Sequence, residues 1–165
     1  MDSRKRKLFI LFFGLMSTLI VFSNSLEIAL EGVSLLKKSK DTLFPLNILF
    51  YYVGISQLSN AVSSDPTNLD IRLVRASAIF DFVENNPIAQ DIVQEDLEFF
   101  LLFKDRYKYS SKISLDVVYY MLCYVYGLKK DYPKMYFYLD KLSKEQQANT
   151  FIEKLKLRFP KIVNK

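Results

Sequence analysis

Four carboxylates stand close together at Asp91, Glu95, Asp96 and Glu98, and three of them, Asp91, Glu95 and Glu98, are spaced to share one helix face. Carboxylates so placed could hold a divalent cation or divide general acid and general base work between them. No glycine-rich ligand loop accompanies them, and an acidic face turned to water is the commoner use of such a cluster. The chain contains no histidine, which removes the Ser-His-Asp and Cys-His nucleophile systems, the usual zinc helix motif and the commonest general base. Neither the phosphate-cradling P-loop pattern nor the dinucleotide G-x-G-x-x-G pattern occurs. Cys123, the single cysteine, falls on an apolar helix and reads as a buried, inert thiol. The expectation is a protein that is not an enzyme, with no catalytic residue, no cofactor and no metal ligand.

The second chemical feature is a run of tyrosines between Tyr119 and Tyr138. At helical spacing Tyr119, Leu122 and Tyr126 fall on one face, and Tyr120 and Tyr124 on an adjacent one. Both faces cannot be equally buried in a two-layer array. Core packing accounts for most of these rings, and the rest are expected to line an exposed groove, where tyrosine offers apolar area with a hydrogen-bonding tip. Tyr119, Tyr120, Tyr124 and Tyr126 are therefore the candidate partner-binding residues.

The elements that must position these rings are helices. Half of the 165 residues are apolar and a quarter charged, while 4 glycines and 5 prolines leave little punctuation for a sandwich or barrel. Seven helices are expected: Leu26 to Lys38, Pro45 to Ser64, Leu69 to Glu84, Pro87 to about Phe103, Ile113 to Leu128, Pro133 to Leu142, and one opened by Ser143 with Gln146 and ending near Phe159. On the first, Leu26, Ala29, Leu30, Val33 and Leu36 form the apolar stripe. Thr67 with Asp70 reads as a cap for the third, and Asn86-Pro87 as an asparagine cap and first-turn proline for the fourth. Thr42 to Ser64 carries no charge, yet Pro45, Asn47, Gly54, Ser56, Gln57, Ser59 and Asn60 interrupt it well short of a membrane span, so a buried central helix is expected. Short breaks between paired helices are what stacked hairpins require, and the fold class expected is an all-α short α-solenoid.

Residues 1–25 have the form of a secretory signal: the bases Arg4 to Lys7, an apolar run from Leu8 to Phe22, and the small-x-small triplet Ser23-Asn24-Ser25. The run is about fifteen residues, against the roughly 20 that a spanning helix needs. Cleavage between Ser25 and Leu26 is expected, with residues 8–22 as an uncleaved inner-membrane anchor the alternative. The mature part would then be one domain over 26–165. Removing four bases and one acid from the 23 and 18 of the chain leaves 19 against 17, a net +2 beyond residue 25, which is no footprint for nucleic acid. The remainder is dipolar. Asp65 to Arg106 holds nine acids and four bases, Lys129 to Lys165 ten bases and four acids.

Two stretches resemble the tetratricopeptide repeat family. Leu58, Ala61 and Asp65-Pro66-Thr67-Asn68, followed by Ala76, resemble the end of one repeat and the start of the next. Leu122-Cys123, Tyr126, Lys130-Asp131-Tyr132, Met135, Leu139 and Leu142 resemble a complete repeat. Lys130 stands where the family has glycine, Met135 and Leu142 where it has alanine, and Gln147 where it has the closing proline. The resemblance covers about half of the mature chain and implies partner binding. The function expected is an exported, periplasmic adaptor or scaffold, held to a protein partner in a bacterial cell-envelope assembly such as a secretion, outer-membrane-assembly or flagellar-motor complex. The alternative is a transport-associated accessory whose helices enclose a small-molecule cavity.

Overall fold

The computed structural model describes residues 25–109 and 113–160; the signal segment expected over 1–25 lies outside them except for Ser25, so the expected cleavage point after Ser25 falls at their first residue. Among the described residues all regular structure is helical: α1 over residues 25–41, α2 Leu46–Ser64, α3 Leu69–Phe80, α4 Pro87–Phe103, α5 Leu115–Leu128, α6 Tyr132–Leu142 and α7 Ala148–Arg158. No described helix is long and apolar enough to cross a membrane. Two compact units divide the chain, Met1–Thr67 and Asn68–Lys165.

In the first unit α1 and α2 form a hairpin closed on glycine. A methyl group at Gly32 would lie 2.9 Å from the Gly54 carbonyl oxygen and 2.8 Å from Leu58 Cγ, and one at Gly54 would lie 3.0 Å from the Gly32 carbonyl oxygen. No side chain fits between the backbones there, so glycine sets how closely the helices approach. Ala29, Leu36, Leu58, Ala61 and Val62 are buried around this crossing. The buried stripe of α1 is thus Ala29, Gly32, Leu36 and Ser39, while Leu26 and Leu30 are exposed. The first half of α2 is not the buried helix its composition suggests: Leu46, Ile48, Leu49, Tyr52 and Val53 are exposed, and the buried positions of the helix begin only at Gly54.

In the second unit α3 packs chiefly on α4 and α5 on α6, and α5 also meets α4 and α7. This is the solenoid-like stacking of antiparallel helix pairs. Its apolar core includes Leu69, Leu73, Ala76, Ile79, Val93, Leu97, Phe100, Leu122, Val125, Met135, Leu142 and Leu155. Asn86 caps α4 as expected, accepting from the Ala89 N–H at 3.1 Å. The cap of α3 is Asn68, which accepts from Ile71 N–H at 3.2 Å, one residue beyond the expected Thr67. Helix α3 stops at Phe80, where a turn through Asn85 at φ 54° is tied by Gln90 Nε2 donating to the Val83 carbonyl at 2.9 Å. The Ser143 cap does not form, since its hydroxyl donates to the Asp140 carbonyl at 2.8 Å, and α7 opens only at Ala148.

The break between α5 and α6 reverses through Lys130 at φ 60°, with Asp131 N–H donating to the Tyr126 carbonyl at 3.0 Å and Lys130 N–H to the Gly127 carbonyl at 3.2 Å. This is the left-handed helix ending that glycine usually supplies, here held by lysine. Asp131 then caps α6, accepting from Lys134 N–H at 3.3 Å.

Candidate functional site

The clustered carboxylates are drawn into interhelix ties. Asp96 is fully buried, and it accepts from Arg75 Nε at 2.6 Å, Arg75 Nη2 at 2.7 Å and Arg72 Nη1 at 2.8 Å, all from α3. Arg72 also reaches Glu95 at 3.2 Å and lies 3.9 Å over the Phe99 ring. Asp91 accepts from Lys129 Nζ at 2.6 Å. Glu98 accepts from the Tyr126 hydroxyl. The cluster is therefore divided among several partners, and among the described residues no group of three metal-ligating side chains is placed to hold a cation. Cys123 is buried, its Sγ 3.6 Å from the Met135 carbonyl, and burial pushes its thiol up to about 12, so it stays protonated at neutral pH.

The four candidate tyrosines separate into two pairs, as the helical spacing requires. Tyr126 is 1% exposed, its ring stacked on Tyr138 of α6 at 5.7 Å and its hydroxyl between Glu98 and Lys134, the latter at 3.2 Å. Burial, then the Glu98 carboxylate, raise the Tyr126 hydroxyl well above the ordinary phenol value, and burial pushes Tyr138 up to about 12. Tyr119 also stacks on Tyr138, at 6.3 Å. This pair joins α4, α5 and α6 and forms part of the packing.

Tyr120 and Tyr124 lie in a different setting, a half-buried aromatic strip carried by α3, α5 and α7. Phe151 meets Tyr120 at 4.9 Å; Phe80 meets Tyr120 at 5.9 Å and Tyr124 at 5.5 Å; Tyr124 meets Phe159 at 5.5 Å. Phe80, Tyr120, Tyr124 and Phe151 each keep part of their surface in water, whereas Phe159 is buried. Phe159 sits where it does because Gly127 has no side chain: a methyl group there would come within 2.7 Å of the ring.

One end of the strip is fixed by charge. Tyr124 donates its hydroxyl to Glu84, and Arg158 holds the same carboxylate with Nε at 3.1 Å and Nη2 at 2.8 Å. Those bonds, Arg158 first and Tyr124 second, hold the Glu84 carboxyl below its ordinary value and raise Arg158. Near Phe151, Lys154 lies 5.5 Å over the ring. The rings are preset by edge and tilted contacts and present an apolar surface bordered by polar groups. Such a surface can bind an apolar segment at small ordering cost. Sequence reasoning missed Phe80, Phe151 and Phe159 as members of this strip. The signal available was the place of Phe80 at the last residue of α3 and of Phe159 just past the end of α7.

No family model matches the chain, and neither the curated proteins nor the solved structures give a match.

Proposed function

We propose that this chain is an exported adaptor or scaffold of a bacterial cell envelope, and that it holds an apolar segment of a protein partner against Phe80, Tyr120, Tyr124 and Phe151. The observation that carries this reading is the strip itself: four partly exposed rings from three helices, prearranged against one another and tied at one end by Glu84 and Arg158. Aromatic anchors with rigid settings are the residues that dominate protein interfaces. The resemblance to tetratricopeptide repeats, which bind partners through stacked hairpins, points the same way. The signal-like segment before residue 26 supports export.

The test is photocrosslinking in the native cell. With p-benzoylphenylalanine in place of Tyr120, light should produce an adduct with one envelope protein, and the same probe in place of buried Tyr126 should give none. Against that captured partner, Tyr120→Ala should weaken binding roughly thirtyfold, the ordinary consequence of losing about 2 kcal/mol at an interface anchor, while far-UV circular dichroism stays helical. An adduct equally strong from both positions, or unaltered affinity in a folded Tyr120→Ala protein, would remove the strip from the interface.

A further inference from the structure

The tip of the α1–α2 hairpin and the start of α2 carry a dense run of exposed apolar residues. Leu43 is 86% exposed, Phe44 76% and Tyr52 65%, and Leu46, Ile48 and Leu49 are exposed beside them. From Thr42 to Ser64 there is no charged side chain. Immediately before the tip, in the last turn of α1, Lys37, Lys38 and Lys40 are all exposed, with Asp41 the only acid among them. The tip is held in shape by local hydrogen bonds: Thr42 Oγ1 donates to the Lys38 carbonyl at 2.6 Å, and Asn47 N–H to the Leu43 carbonyl at 3.3 Å.

We infer that this tip docks on the surface of an anionic lipid bilayer, with Leu43, Phe44, Leu46, Ile48, Leu49 and Tyr52 entering the headgroup boundary and the lysines of α1 meeting lipid phosphates. Two features select that occupant. An uncharged apolar ridge with a basic border is the composition of interfacial membrane elements, in which apolar area and attraction to anionic lipid act together. Lysine suits the border, since its methylene stem follows the apolar surface while the ammonium group stays in water. The inference is independent of the adaptor reading, which uses α3, α5 and α7.

The chain contains no tryptophan, so one introduced at the tip reports from that place alone. In the full-length Phe44→Trp protein, vesicles containing phosphatidylglycerol should shift the emission to shorter wavelength, and brominated acyl chains should quench it. Tyr52→Trp should behave alike, and serves if the first variant folds poorly. Asn60→Trp, at the far end of α2, should stay unquenched, which separates insertion of the tip from attachment by any other part of the chain. Replacing Lys37, Lys38 and Lys40 with Gln, using pure phosphatidylcholine, or raising salt should each abolish most of the quenching. An unshifted emission at both tip positions, or equal quenching at residue 60, overturns the inference. So does a shift that appears without vesicles and grows with protein concentration, which would mean a second copy covers the tip. Quenching indifferent to the lysines and to lipid charge would overturn the anionic surface as the occupant.

Discussion

The hairpin of α1 and α2 and the five helices that follow it are built from the same residue types but held together by different means. In the hairpin the decisive contact is an absence, two glycines that let backbones approach until a methyl group would collide. In the second unit the decisive contacts are polar bonds between helices: Asp96 to Arg72 and Arg75, Lys129 to Asp91, Glu84 to Tyr124 and Arg158. Close packing of backbones is sensitive to volume and indifferent to charge. A buried ionic tie is the reverse.

That contrast can be broken most severely at Asp96. Asp96→Ala leaves two largely buried guanidinium groups without their carboxylate, and should cost about 3–5 kcal/mol. Urea denaturation would show it. Replacing Arg72, Arg75 and Asp96 together by apolar residues of similar volume should recover most of the loss, as buried ion pairs commonly allow. A loss under about 1 kcal/mol for Asp96→Ala would mean that water reaches the arginines in solution.

A smaller effect is expected in the hairpin. Gly54→Leu forces side-chain atoms against the Gly32 carbonyl and Leu36, both already 3.0 Å from the position of a methyl group, and should cost roughly 1–3 kcal/mol. Amide hydrogen exchange should quicken in residues 25–41 and leave α3 to α7 unchanged. Equal loss of protection throughout would mean that the hairpin does not open by itself.

The smallest and most specific effect concerns Glu84. Its carboxyl is held below the ordinary 4.5 by hydrogen bonds from Arg158 and Tyr124, so its contribution is present above pH 4.5 and is lost as pH falls through the lowered value. The urea midpoint of the native protein should therefore fall more steeply with acid than that of Glu84→Gln, the two curves converging at low pH. Parallel curves would show that the Glu84 to Arg158 tie adds nothing, as for many exposed pairs.

Much of the fold is legible in the residues where a side chain acts on its own backbone. Asn86-Pro87 announces α4 because the cap and the fixed proline angle are local properties. Legibility ends where a distant group decides. Asp81 to Glu84 read as helix, yet Gln90 reaches back from α4 and the chain turns. Ser143 with Gln146 reads as a cap, but the hydroxyl finds the Asp140 carbonyl first. Helical spacing separates Tyr119 and Tyr126 from Tyr120 and Tyr124 correctly. It cannot say that Phe151 and Phe159, some thirty residues on, flank the second pair. Asp96 sits off the face shared by Asp91, Glu95 and Glu98, and its arginines stand three residues apart on another helix; only their i, i+3 spacing hinted at a common target. The composition of α2 suggested burial because apolar residues are usually covered, but composition does not say by what.

The buried carboxylate also limits which arrangements of α3 on α4 count as the same protein. Apolar helix surfaces tolerate sliding, since one leucine fills the hole of another at modest cost. A slip of one turn, 5.4 Å in an α-helix, would carry Arg72 and Arg75 beyond hydrogen-bonding reach of Asp96 and leave three charges in an apolar layer. Neighbouring registers that a greasy interface would permit are thereby made costly, and the pairing of these two helices becomes a choice with one answer.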